Sequence, residues 1–354
     1  MTETSAEPPV LTRIENGVGR ITLNRPKVLH ALNTEMCLEI TRALLAWKDD
    51  PAVQAVMIDH TGERGFCAGG DIRLLAESGA GDGAAARRFF LAEYRMNHLL
   101  FVYPKPTVAI MDGIVMGGGV GISAPCKVRI ATERTTYAMP ETGIGLFPDV
   151  GGGWFLPRMP GQSGIWKALT GARLKAADCL ALGLATHVVE SGKIEALKAA
   201  ILGDAEAVFG APELFAQSPG AAPVQAHRGE IDRLFAFDTM EEISAALEGD
   251  GGEWAAGQLA ILKTKSPQSM KVSLRQMRAG AKLTSFAQIM AMEYALAVRI
   301  VRTHDFQEGV RAVIIDKDNA PKWSPVDLAG VTDAELDQLF APLPPEESWT
   351  PVVV

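Results

Sequence analysis

Apolar and polar residues alternate from Val10 to Ile14 and again from Val18 to Leu23, with Glu15-Asn16-Gly17 between them. A period of two puts every second side chain on one face, and Asn-Gly supplies the backbone angles of a tight turn, so the segment reads as a β-hairpin. The period then changes. Asn33-Thr34 can cap a helix carrying Met36, Cys37, Ile40, Leu44 and Trp47, and Ala52 to Asp59 reads as a short buried strand. Glycines 79, 81 and 83 break the pattern before a helix expected from about Ala85 to Leu100, and Thr107 to Met111 gives another buried strand. Two further β-like pieces, Val128 to Thr132 and Thr136 to Met139, follow a glycine-rich turn and short helix.

Strand and helix alternate throughout this stretch, which predicts a single α/β unit over residues 8–200. From Phe209 to Pro223 the chain turns to Gly, Ala and Pro, the composition of a linker. Beyond it the period is helical, with helices expected over Glu230 to Phe237, Met240 to Leu247, Glu253 to Lys263, Pro267 to Ala279 and Ser285 to Arg302. The last of these presents Ile289, Met292, Leu296 and Ile300 on one face. Residues 201–325 are therefore expected to form a helical region packed on the core, and the proline-rich residues 326–354 an extended tail.

The 354 residues, 47% of them hydrophobic, suffice for one large domain or two modest ones. A net charge of -8 and an aromatic content of 6% argue against a nucleic-acid binder, so an anionic ligand would be met by local positive groups. The four cysteines show no CxxC spacing and the histidines no HxxxH, which leaves a zinc site and a disulfide framework without support. Reduced thiols and no metal are expected. The N-terminal MTETSAEPP has neither a basic nor an apolar segment, and no run of about 18 apolar residues follows; a cytoplasmic, non-membrane protein is expected.

Two glycine-rich loops carry the candidate chemistry. Phe66-Cys67-Ala68-Gly69-Gly70-Asp71 and Met116-Gly117-Gly118-Gly119-Val120-Gly121 each follow a strand. Loops of this kind can leave main-chain N–H groups free, and two of them converging about 3 Å from one point form an oxyanion hole. Tight turns and close helix-strand packing explain isolated glycines equally well. Neither GxxxxGK[ST] nor GxGxxG is present, so phosphate cradling is not indicated, and without GxSxG a serine hydrolase lacks its usual nucleophile. Cys67 has no assigned histidine partner and reads as a small buried residue.

These loops belong to a longer series: Leu23-Asn24-Arg25-Pro26, Gly65 to Arg73, Asp112 to Gly121, Met139-Pro140-Glu141 through Pro148-Asp149-Val150-Gly151-Gly152, and, near the C-terminus, Asp305 to Ala312 and Asp316-Lys317-Asp318. Taken in order, they resemble the crotonase superfamily, in particular its 3-hydroxyisobutyryl-CoA hydrolase branch. The resemblance implies a spiral of ββα repeats with a C-terminal helical region, and an acyl-CoA thioester as substrate. It also implies oxyanion amides at Gly70 and Gly118, with Ala68, Asp71 and Glu93 near the substrate and Arg25 and Val28 near the coenzyme A moiety. No separate cofactor is implied, whereas assembly into a homo-oligomer is common in the family.

Within the superfamily, hydratases use two glutamates, one of them three residues after the second oxyanion glycine. Here that position is Gly121, and glycine can be neither acid nor base. The other hydratase glutamate has a counterpart in Glu141, and Asp149 stands where hydratases have glycine and the hydrolase branch has aspartate. A carboxylate lost in one place and gained in another implies thioester hydrolysis, with Glu141 as nucleophile or general base and Asp149 assisting water or the leaving thiolate. The branch implies 3-hydroxyisobutyryl-CoA as substrate, in valine degradation. The alternatives are another crotonase reaction, enoyl-CoA hydration or isomerisation, and a non-catalytic acyl-CoA-binding or scaffold protein that keeps the fold.

Overall fold

The computed structural model describes residues 7–352. The leader reading at the N-terminus rests mostly on residues 1–6, which lie outside that range. The hairpin expected from alternation forms as β1 (Val10–Glu15) and β2 (Val18–Leu23), with Asn16 and Gly17 both at positive φ in its turn. Asn33 caps α1 (Thr34–Lys48), its side-chain oxygen accepting from Met36 N at 2.9 Å.

Three ββα turns follow. β3 (Ala55–His60), β4 (Gly65–Cys67) and α2 (Ile72–Ala80) form the first, and α3 (Ala84–Phe101) extends it. β5 (Thr107–Met111), β6 (Ile114–Met116) and α4 (Gly118–Ser123) form the second. The third consists of β7 (Val128–Ala131), β8 (Thr136–Ala138) and a 3-10 turn over Glu141–Ile144. The first strand of every turn joins a six-stranded sheet of order β1-β2-β3-β5-β7-β9, where β9 is His187–Val188. The second strand joins a parallel three-stranded sheet, β4-β6-β8. The three turns thus stack with their small-sheet strands aligned. This is the crotonase-like spiral that the resemblance implied.

The alignment places the functional loops. Met116 is paired with Ala138 and Cys67 with Val115, so the residues just beyond the carboxyl ends of β4, β6 and β8 lie side by side. These are Ala68 to Gly70, Gly117 to Gly118, and Pro140 to Glu141. Ligands in parallel sheets commonly bind at such carboxyl ends, where loops replace the hydrogen-bonded ladder.

The remaining helices wrap this core. They are α5 (Gly152–Phe155), α6 (Ser163–Thr170), α7 (Ala176–Ala181), α8 (Ile194–Gly203), α9 (Ala207–Phe215), α10 (Pro223–Ala226), α11 (Arg228–Leu234), α12 (Met240–Asp250), α13 (Glu253–Leu262), α14 (Pro267–Gly280), α15 (Phe286–Ile300), α16 (His304–Val310) and α17 (Asp333–Phe340). Helix α3 packs between α1 and α15 and buries Phe89, Phe90, Tyr94 and Met96. Each such apolar side chain contributes roughly 1.5–3 kcal/mol.

Two expectations need correction. The supposed linker from Phe209 is helical to Phe215, because Val208 and Ala211 bury against residues of the six-stranded sheet. The supposed extended tail contains α17, which starts in a reciprocal cap between Thr332 and Glu335 and buries Leu336 and Leu339. Tertiary burial outweighs the loop-like composition in both places. Helix α15 buries Ile289, Leu296 and Ile300 of the expected face together with Glu293, whereas Met292 is only partly buried.

Candidate active site

Beyond β4 and β6 the chain runs through Gly69 (φ 116) and Gly117 (φ 48), conformations that side chains rarely adopt. The two loops touch. A Cβ added at Gly69 would lie 3.5 Å from Met116 O and 3.8 Å from Gly118 N. One added at Gly118 would meet Glu93 Oε1 at 2.6 Å, and one at Gly119 the carbonyl of Cys67 at 2.4 Å. These glycines are therefore required by close approach of backbone to backbone and to a carboxylate. The neighbouring amides are committed, Ala68 N to Leu29 O and Asp71 N to Leu32 O, but the N–H groups of Gly70 and Gly118 meet no acceptor among the described residues. Two unpaired donors on touching loops can receive one developing oxyanion.

A cavity of about 70 Å³ opens between the loops, lined among others by Ala68, Gly118, Phe90, Glu93, Glu141 and Asp149. Glu141 starts the 3-10 turn after β8, and Asp149 lies before α5. Glu93 comes from the middle of α3. All three are buried, at 4%, 5% and 2% exposure, and none forms a salt bridge among the described residues, although the charge of Lys167 acts on Glu141. Glu141 Oε2 and Glu93 Oε1 have no hydrogen-bond partner among the described residues, whereas Asp149 Oδ2 accepts the Tyr94 hydroxyl at 2.7 Å.

Burial dominates their protonation. Burial first, and then the charge of Asp149, push Glu141 up to about 8. Burial pushes Asp149 up to about 6 against the hydrogen bond from Tyr94. The same two influences raise Glu93 well above the usual carboxylate range. The site thus holds acids that exchange protons near neutral pH, as acid-base chemistry requires. Cys67, by contrast, is buried with its thiol pushed up to about 12, a poor nucleophile.

The other candidate positions fall around this centre. Ala68 lines the cavity; Asp71 caps α2, accepting from Leu74 N at 3.4 Å. Arg25 donates to Ala31 O at 2.5 Å within the turn that carries Val28, which is 47% exposed. That turn is joined to the Gly69-Gly70 loop through the bridge between Leu32 and Gly70. At Gly121 there is no room for the hydratase glutamate: an added Cβ would lie 2.7 Å from Val150 and 2.8 Å from Asn97 Nδ2. Among the described residues, no group of three or more His, Cys, Asp or Glu could hold a metal ion, and no helix is long and apolar enough to cross a membrane.

Sequence reasoning missed several residues at the centre. Tyr94 reaches Asp149 only because α3 passes behind it. Lys167 of α6 is fully buried with no hydrogen-bond partner for Nζ, 4.8 Å over the Tyr137 ring; burial draws it down to about 8 while Glu141 opposes the shift. Glu293 of α15 accepts from Gly151 N and Gly153 N, both at 2.8 Å. Its signal was legible, since an acid four residues after Ile289 interrupts an apolar stripe. Between these glycines and Asp149, Val150 holds φ 51, a conformation that costs a β-branched residue on the order of 1–3 kcal/mol.

A family model described as enoyl-CoA hydratase/isomerase matches residues 18–340. The chain is 44% identical over 354 residues to the mitochondrial 3-hydroxyisobutyryl-CoA hydrolase of Gallus gallus, covering 96% of this chain and 90% of that one. It is also similar to the crystal structure of a carnitinyl-CoA dehydratase from Mycobacterium thermoresistibile, with 43% identity, TM-score 0.91 and coverage of 95% and 97%. A second crystal structure, of an enoyl-CoA hydratase from Rhodobacter sphaeroides 2.4.1, matches at 40% identity and TM-score 0.89, covering 97% of this chain and 100% of that one. The hydrolase relatives from chicken, zebrafish and human are all named mitochondrial, which overturns the cytoplasmic placement expected from the N-terminus. Composition near one end does not determine compartment.

Proposed function

Because the chain belongs to the enoyl-CoA hydratase/isomerase family, we propose that it hydrolyses a short acyl-CoA thioester, 3-hydroxyisobutyryl-CoA, to 3-hydroxyisobutyrate and coenzyme A in valine degradation. The observation carrying this reading is that Glu141 and Asp149 line one small cavity with the Gly118 loop, while the place of the second hydratase glutamate is filled by Val150 and Asn97. Hydration needs a water gripped between two carboxylates across a double bond, and Gly121 removes one of the pair. The names of the two bacterial structures therefore do not carry over in preference to that of the hydrolase relative.

In this mechanism the thioester oxygen enters between the Gly70 and Gly118 amides, which strengthen their hold as charge develops on it. Glu141, with Oε2 unpaired, either attacks the acyl carbon to give a mixed anhydride that water then opens, or takes the proton of a water that attacks it. In both routes the tetrahedral intermediate collapses and expels the coenzyme A thiolate. Asp149, oriented by Tyr94, directs the water and its proton. Glu93, kept protonated by burial, hydrogen-bonds the acyl hydroxyl, and Phe89, Phe90 and Leu146 enclose the branched carbon chain. A cavity of about 70 Å³ favours a short acyl group. No cofactor besides the substrate's own coenzyme A takes part.

The test measures free thiol and enoyl absorbance separately with 3-hydroxyisobutyryl-CoA and crotonyl-CoA. Thiol release from the first with crotonyl-CoA left intact is expected. Loss of enoyl absorbance without thiol release would overturn the hydrolase reading in favour of hydration, and binding without turnover across a panel of thioesters would favour a non-catalytic role.

A further inference from the structure

The segment Pro148-Asp149-Val150-Gly151-Gly152-Gly153 carries a reacting carboxylate on backbone that is left-handed at both Val150 and Gly151 (φ 51 and 95). Such a segment needs external restraint, and two buried side chains supply it. Glu293 Oε2 accepts from Gly151 N and Oε1 from Gly153 N, each at 2.8 Å. Gln276 of α14 donates from Nε2 to Pro148 O at 2.8 Å and to Glu293 Oε1 at 3.0 Å. Both residues are fully buried, and both belong to the C-terminal helices. The grip falls on the residues immediately before and shortly after Asp149. Tyr294, next to Glu293, also packs edge-on against Tyr94 with ring centroids 6.4 Å apart, and Tyr94 holds the Asp149 carboxylate.

Resting on the hydrolase reading above, we propose that Glu293, with Gln276, is a positioning residue for the reaction, clamping the main chain on both sides of Asp149 so that its carboxylate faces the thioester. The clamp touches neither substrate nor cavity and acts only through Asp149. A carboxylate suits the task better than an amide, since its two oxygens accept from two N–H groups at once. In Glu293→Gln an NH2 group must face one of those donors, and the loop is pushed off.

The experiment compares wild type, Glu293→Gln and Gln276→Ala in steady-state thiol release, together with thermal unfolding and the inhibition constant of coenzyme A. Displacing a reacting group by a fraction of an ångström to 1 Å lowers turnover by up to about 10²-fold. Glu293→Gln is expected to lose about 10-fold to 10²-fold in kcat, with KM and coenzyme A inhibition within about twofold of wild type, the pattern of a contribution made only in the transition state. Gln276→Ala is expected to lose less kcat with the same split. Should Glu293→Gln not fold, Gln276→Ala decides alone. An unchanged kcat in the folded variant, or a KM that rises in step with the fall in kcat, would overturn the clamp. Failure of the hydrolase reading would be visible in wild type itself, as absence of thiol release, and the comparison is then made with the thioester that wild type does turn over.

Discussion

Asp59 and Glu141 are both buried carboxylates near the carboxyl ends of β-strands, yet the protein treats them in opposite ways. Asp59, near the end of β3 in the six-stranded sheet, accepts from Arg20 Nη2 at 2.6 Å and Thr22 Oγ1 at 2.6 Å, and Lys198 Nζ lies 3.1 Å away. Burial alone would raise it, but the bond from Arg20 and the charge of Lys198 outweigh burial and bring it below the ordinary value. Glu141 has no donor at Oε2 among the described residues, and burial with the charge of Asp149 outweighs the charge of Lys167 to push it up to about 8. Where only the fold is at stake, a buried charge is fully paired; where a bond is to be broken, charges are left unsatisfied and ready to move protons.

Three substitutions sharpen or break this contrast. Glu141→Gln should have the largest effect, a fall in kcat of about 10⁴-fold, or about 5 kcal/mol in the barrier. The same change should flatten the pH dependence of stability. With a folded-state value raised from 4.5 to about 8, Glu141 binds its proton more tightly in the folded state, so stability is lost as pH rises between those values. Urea unfolding from pH 5 to pH 8 measures that slope, and a variant as steep as wild type would contradict the assignment.

Asp59→Asn should give the reverse profile. It leaves Arg20 and Lys198 beside an uncharged partner and should cost about 3–5 kcal/mol of stability, while kcat per folded molecule stays unchanged. Denaturant titration with active-site counting checks this, and a change in kcat would break the separation of the two regions. The smallest effect belongs to Tyr94→Phe. Loss of the donor lets Asp149 rise above about 6, so the acid limb of kcat/KM should move to higher pH with a loss in kcat of less than about 10-fold. A limb that stayed in place would remove Asp149 from the titrating groups.

Some of this was legible along the chain because the responsible physics is local. Alternation of Val18 to Leu23, the Asn16-Gly17 turn and the Asn33 cap each depend on residues a few positions apart, and each element forms where expected. The glycines at 117 to 119 were visible for the same reason, although the need for Gly119 is the carbonyl of Cys67, which no spacing discloses. Helices α9 and α17 were misread because their apolar residues are few and gain stability from surfaces distant in sequence.

The order of residues by itself determined the chemical inventory: which acids follow β8, which loops can free their amides, and that position 121 carries no carboxylate. It determined the alternation of strand and helix as well, since a period of two or 3.6 is a property of neighbouring residues, whereas the ββα repeat was implied by the resemblance alone. Only the tertiary structure decided that Tyr94 would reach Asp149 and that Glu293 and Gln276 would grip the chain on either side of it. Only there, too, did burial outweigh the charge of Lys167 and raise Glu141. Desolvation and hydrogen-bond geometry depend on what surrounds an atom in space, and those surroundings come from segments up to 142 residues apart.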